Sequence, residues 1–195
     1  MTARRPAFRL AALIVLLAVP AAAQELSLSV AAGGLVPLSG DYRETYGPGL
    51  SVEADLWLRL RGRLGLAAGF SSLSDKGLAR PSGDEEAVYP LRFRRASIPV
   101  VLFYEIKAGI ARLRLGAGAS FHSFRETWRT VDLDYRANKI SPHLVAAASI
   151  GLFGRLSLFG SAAYDSIRAG ADSPLGLTVD VGGIQILGGI AWRIF

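Results

Sequence analysis

The sequence has no cysteine and only two histidines among its 195 residues. Without cysteine no disulfide framework is possible, so an exported chain of this kind draws its stability from its core or from a membrane. With two histidines and no thiol, a metal site needs a third ligand, and no cluster of histidine and carboxylate stands at ligand spacing. Long apolar runs are also missing. After residue 23 no stretch reaches the ~18 consecutive apolar residues that a spanning helix requires. A chain that enters a membrane without such helices has one route left, the closed β-barrel.

The first 23 residues read as a secretory signal peptide. Arg4, Arg5 and Arg9 form a basic start, residues 10–19 are apolar, and Pro20 with Ala21, Ala22 and Ala23 gives a small-residue cleavage site before Gln24. Cleavage removes three arginines and lowers the formal charge from +6 to +3. The basic balance is therefore partly a property of the leader and is no argument for a nucleic-acid partner. Residues 24–195 are expected to form one domain.

What is abundant is alternation. Eight stretches read as strands: residues 25–36, 50–60, 64–71, 91–106, 111–124, 139–152, 156–165 and 180–195. The second is the cleanest. Leu50, Val52, Ala54, Leu56, Leu58 and Leu60 oppose Ser51, Glu53, Asp55, Trp57 and Arg59. Connections alternate in length. Tight turns at residues 61–63, 107–109 and 153–155 separate long polar segments at 37–49, 72–90, 125–138 and 166–178, with a hairpin from strands five and six extending through residues 127–135. Short turns at one end and long loops at the other are the asymmetry of bacterial barrels. The expected fold is all-β, an eight-stranded antiparallel up-and-down transmembrane barrel.

The apolar parity is nearly free of charge, while the other mixes Gly, Ala and Ser with charged residues, as a narrow lumen demands. Phe70, Phe121 and Tyr164 near the loops, and Tyr104 and Trp192 near the turns, suggest two interfacial girdles. Trp57 falls on the polar parity and is expected to plug the lumen near the turn end.

The final stretch places Ile184, Ile186, Ile190, Trp192 and Ile194 on one face and ends on Phe195. It resembles the terminal strand of bacterial outer-membrane barrels, although Arg193 stands where an aromatic is usual. The resemblance implies that Trp192 and Phe195 serve as the signal read by the barrel assembly machinery. The segments R-R-A-S-I-P-V-V-L-F-Y-E-I and L-R-L-G-A-G-A-S-F, with Ile98-Pro99, resemble the Ile-Pro hairpin of the outer-membrane β-barrel domain family, the small OmpX-like and opacity-type porin-family barrels. That resemblance implies a bacterial cell outer membrane location and no particular activity.

Three constellations carry chemistry. Glu53, Asp55, Arg59, Glu105, Lys107, Arg112, Arg114 and Arg193 share the inward parity and are expected to form a luminal ion network, because buried ions must be paired. Glu105 is expected to face Arg112 or Arg114 across a short hairpin. His122 and His143, with Ser120, Ser141 and Asp165, have the residue types of a hydrolase or acyltransferase site, but no local motif of such an enzyme accompanies them. Trp128, Arg129, Tyr135 and Arg136 in the loop after the fifth strand are candidates for contact with a partner or with lipopolysaccharide phosphates. The expected function is a non-enzymatic, plugged outer-membrane barrel that displays extracellular loops for structural, adhesive or ligand-binding roles. It needs no cofactor or metal. Its partners are outer-membrane lipid and lipopolysaccharide, with the extracellular ligand left open. A small channel for ions or solutes and a lipid A-modifying enzyme are the alternatives.

Overall fold

The last strand closes on the first. In the computed structural model, which describes residues 24–46, 49–79, 89–128, 130, 133–169 and 179–195, β1 (Glu25–Pro37) pairs antiparallel with β10 (Gly183–Arg193). Between them run β2 (Leu50–Arg59), β3 (Leu64–Ala79), β4 (Tyr89–Ala108), β5 (Ala111–Trp128), β6 (Leu133–Phe153) and β7 (Leu156–Asp165), each paired with its chain neighbour. The result is a closed eight-stranded barrel. A short helix, α1 (Gly40–Thr45), and a two-stranded ribbon of β8 (Arg168–Ala169) and β9 (Val179–Asp180) lie at the loop end. The signal-peptide segment falls outside the described residues.

The tight turns are set by glycine. Gly62, Gly109 and Gly154 sit at φ 68°, 59° and 56°, one in each short connection. A side chain in that left-handed region is strained, and glycine is not.

Alternation sorts the faces as read from sequence. On β2, Ser51, Glu53, Asp55 and Trp57 point inward and are buried, while Val52 and Leu56 point out and are exposed. The outer surface is a band of exposed Leu, Ile, Val and Phe, bounded toward the loops by Phe70, Ile98, Phe121 and Ile140 and toward the turns by Tyr104, Ile106 and Trp192. Above Ile98, Phe121 and Ile140 the outward positions turn abruptly polar: Arg94, Arg125 and Arg136 follow four positions beyond. An apolar band of this extent on a closed barrel is a lipid-facing surface.

Two expectations about boundaries need correction. Residues 72–79 belong to β3 rather than to a loop, and in the segment 125–138 the hairpin expected over 127–135 is present, with residues 125–128 in β5 and 133–138 in β6. β3 to β6 continue well past the apolar band, and β5 and β6 stay paired up to Trp128 and Leu133. Above the lipid the outer face meets water while inward Leu73, Leu91, Phe93 and Phe124 pack into an apolar cluster, so the apolar parity changes sides and the pattern that marks the strand in lipid breaks while its pairing goes on. Residues 37–49 contain α1 rather than loop alone. The ladder between β3 and β4 is interrupted opposite Pro99, between the pairs Ala68–Val100 and Ser71–Ser97, as expected where an N–H is missing.

Candidate functional site

The lumen is filled in layers, beginning at the turn end with ions. Two acids, Glu25 and Glu105, meet four cations. Arg114 Nε lies 3.0 Å from Glu105 Oε2, Lys107 Nζ 3.5 Å and Arg59 Nε 3.7 Å from Glu105 Oε1. Glu25 accepts Arg112 and Arg59, the latter at 3.3 Å, with Lys107 at 3.9 Å. The strand registers make these meetings: Glu105 stands opposite Arg114 and Lys107 opposite Arg112 across β4 and β5, and Glu25 opposite Arg59 across β1 and β2.

The next layer is aromatic. Trp57 and Phe103 meet edge to face at 5.3 Å, with Phe159 6.2 Å from Trp57. Small neighbours such as Ala67, Ala147 and Ala163 leave room for these rings. The Arg114 guanidinium lies 5.1 Å from the Trp57 ring centre and 5.6 Å from that of Phe103, joining the two layers by cation–π contact. Trp57 Nε1 donates to Ser29 Oγ at 2.9 Å, and Ser29 donates onward to Asp55 at 3.4 Å.

Above the rings lies a polar layer. His143 Nδ1 is 2.8 Å from Asp165 Oδ1. The fully buried His122 bonds through Nδ1 to Ser97 Oγ and through Nε2 to Ser141 Oγ, each at 2.8 Å, with Asp165 Oδ1 at 3.6 Å. Gln185 bonds Ser51 and Ser71. The guanidinium of Arg95, 1% exposed, donates to the Val181 carbonyl at 3.3 Å. Serine, histidine and aspartate therefore do come together, but sealed inside. The space among Glu53, Asp55 and His143 is about 10 Å³, about one water and no substrate.

The loop end is closed by α1. Tyr42 and Tyr46 turn into the mouth and pack on Phe93, with Leu73, Leu91, Phe124 and Ile167 in the same cluster. Their hydroxyls are satisfied: Tyr42 donates to Asp75, and Tyr46 to Glu126 Oε2 at 2.6 Å. Burial, then Asp75, holds the Tyr42 hydroxyl above its ordinary range, so it stays a neutral donor.

The sequence-derived network is thus split. Arg59, Glu105, Lys107, Arg112 and Arg114 meet at the turn end. Glu53 and Asp55 do not join them, because Trp57 lies between, and they belong instead to the polar layer. Arg193 is half-buried at the rim and enters no ion pair among the described residues; Glu25, the acid on neighbouring β1, is already held by three cations. Glu25 itself was missed, although it shares parity with Ser27 and Ser29. Arg95 was also missed, because the adjacent Arg94 and Arg95 leave parity ambiguous. Trp192 and Phe195 are half-exposed at the barrel's turn end. Of the loop candidates, Trp128 and Tyr135 take inward positions opposite Leu133 and Glu126, and Trp128 donates to Glu126. Arg136 faces outward and binds Asp134. Arg129 lies outside the described residues.

A scan of family models and a search of curated proteins each find no match. Solved structures do match. The outer membrane protein OprG from Pseudomonas aeruginosa superposes with a TM-score of 0.68 at 11% identity, over 88% of this chain and 96% of that one. A major outer membrane protein from Thermus thermophilus gives 0.59 at 14%, over 87% and 98%. Ail, the attachment invasion locus protein of Yersinia pestis, in complex with the heparin analogue sucrose octasulfate, gives 0.55 at 12%, over 87% and 97%. The fold is that of the small eight-stranded outer-membrane barrels. In barrels of this kind the apolar band lies in lipid, short turns face the periplasm and the longer connections face outward from the cell.

Proposed function

We propose that this chain is a non-enzymatic barrel of the bacterial outer membrane that works through the sheet it raises above the bilayer. The observation that carries this reading is a sheet edge, over residues 136–142 of β6, beside which no described strand is paired. β7 ends where Asp165 pairs with His143, so residues 136–142 of β6 have no β7 beside them among the described residues. β6 there is held on its other side by β5, which is held by β4 and β3. A supported strand with one free side is a template for adding a partner's strand. Residues Arg125, Asp134 and Arg136 tie the end of this hairpin together, which keeps the edge in shape. The filled lumen supports the same reading, since layers of ions, rings and tyrosines occupy it among the described residues.

The test replaces residues 125–138 with a short turn in cells that display the protein. Attachment to a protein-coated surface is expected to fall while heat-modifiable gel mobility, the mark of a folded barrel, is kept. Steady conductance of the intact protein in a planar bilayer would favour a small channel instead. Altered lipid A by mass spectrometry, lost on replacing His122 or His143, would favour a lipid-modifying enzyme.

A further inference from the structure

The outer face of the raised sheet carries two cationic rows that the chain treats differently. In the first, Arg94 stands directly opposite Arg125, and Arg125 opposite Arg136. Like charges facing across strands oppose pairing. Here the chain supplies its own anion: Asp134 takes Arg125 Nε and Nη2 at 2.9 and 3.0 Å and Arg136 Nη2 at 2.9 Å. In the second row Lys76 stands directly opposite Arg92. No acid pairs with either among the described residues, and Arg92 Nε is buried without a hydrogen-bond partner. Beside this pair a cleft of about 540 Å³ opens between the end of α1 and β3–β4. Arg43 adds a third cation to its lining and Glu44 a single acid, while Leu78 and Pro90 give it an apolar side.

We propose that this cleft is a binding site for a phosphorylated sugar, with Lys76 and Arg92 on the phosphate and Arg43 at the rim. A bridging phosphate would do for Lys76 and Arg92 what Asp134 does for Arg125 and Arg136. The Arg92 guanidinium offers the fork that matches phosphate oxygens, and lysine adds a point charge. The cleft volume is that of a small-ligand site, and its mixed lining suits a sugar ring with one charged substituent. The position also fits. Lys76 and Arg92 take outward positions six residues beyond the Phe70 and Ile98 limit of the apolar band, on its water side and within reach of ligands from the outer leaflet or from solution. The site owes nothing to the free edge of β6, so either reading can fail alone.

The barrel is refolded into phosphatidylcholine nanodiscs, and the amide resonances of Gly77 and Leu91, both in the lining, are followed. Lipid A added to the disc is expected to shift them, and dephosphorylated lipid A to leave them in place. Glucosamine 1-phosphate distinguishes the source: shifts at comparable concentration assign a soluble sugar phosphate, and shifts with lipid A alone assign the lipid headgroup. Lys76→Glu and, separately, Arg92→Gln are expected to weaken binding at least tenfold. Lys76→Glu is also expected to raise the unfolding midpoint of the ligand-free barrel, because it turns a repelling pair into an attracting one. No response to either phosphate, unchanged binding by both variants, or a lower midpoint for Lys76→Glu would overturn the proposal.

Discussion

Arg114 reaches Glu105 across the β4–β5 hairpin, Nε to Oε2 at 3.0 Å, with 6% and 1% of the two side chains exposed. The register puts them directly opposite, and it puts Arg112 opposite Lys107 instead. Arg112 turns to Glu25. Removing one partner of a dry ion pair leaves the other uncompensated, at a cost of ~3–5 kcal/mol. Glu105→Ala is therefore expected to destabilise the barrel by about that much, discounted for Lys107 at the wetter rim. A double-mutant cycle by urea unfolding in lipid should show coupling of ~1–3 kcal/mol between Glu105→Ala and Arg114→Ala. Coupling of the same size to Arg112→Ala would contradict the pairing described.

The two faces of β2 differ by one residue in sequence. Leu56 is 45% exposed on the outer band, while Asp55 is buried inside near Ser29. Leu56→Arg places a cation in lipid and is expected to cost ~2–4 kcal/mol, depending on depth. Asp55→Asn should leave the apolar band intact and perturb the luminal contacts of Glu53, Ser29 and Trp57. Refolding yields into vesicles report the first and urea midpoints the second. A barrel that stays monodisperse without detergent, with Leu56→Arg neutral, would not have its outer face in lipid.

Strand parity was legible because the lipid and the lumen impose opposite chemistry on alternate residues. Leu56 and Asp55 differ for that reason, and Trp57 could be placed inside against its hydrophobicity. The outer limit of β3 was not legible. Beyond Phe70 neither face is lipid, so Ser74 and Lys76 look like loop residues while they are paired in a sheet, whereas alternation over 127–135 did mark the outer end of β5 and β6. The layering was not legible either. Parity says that Glu53, Asp55 and Arg114 all point inward, but only the register shows that Trp57 separates them. Tyr42 and Tyr46 could not be foreseen as the outer plug, because α1 returns to the mouth through a contact that no period in the sequence marks.

Asp134 should confer a pH dependence on the outer hairpin. Hydrogen bonds from Arg125 and then Arg136 hold its carboxyl at about 2, below the ordinary 3.8. A depressed folded-state value means that the stabilisation is fully present above the unfolded value near 3.8 and is lost as pH falls toward 2. The side chain is partly exposed at the surface, so salt will screen the effect. The Asp134 carboxyl carbon resonance is expected to titrate near 2 in the folded barrel. Asp134→Asn should abolish the dependence and fray residues 125–136 at neutral pH, seen as lost cross-strand contacts. A midpoint at the ordinary carboxylate value would show the arginines pointing elsewhere.

The closing seam tests the last residue. The Leu26 N–H donates to the Phe195 carbonyl at 3.1 Å, the Ile194 N–H to the Leu26 carbonyl at 2.7 Å, and Arg155 Nη1 to the Ile194 carbonyl at 2.8 Å. Pairing therefore runs past β10 to the final residue, and an unpaired end there would leave an edge in contact with lipid. Deleting Phe195 is expected to leave export unchanged and to slow conversion to the heat-modifiable folded form in a pulse-chase. Trp192→Ala separates two causes. It keeps every backbone bond of the seam and removes an aromatic that is 51% exposed on the outer face. If Trp192→Ala slows assembly as much as the deletion, side chains on the strand are what the assembly machinery reads. If only the deletion slows it, the closing hydrogen bonds carry the effect. Normal folding of both variants would show that this strand is not the assembly signal.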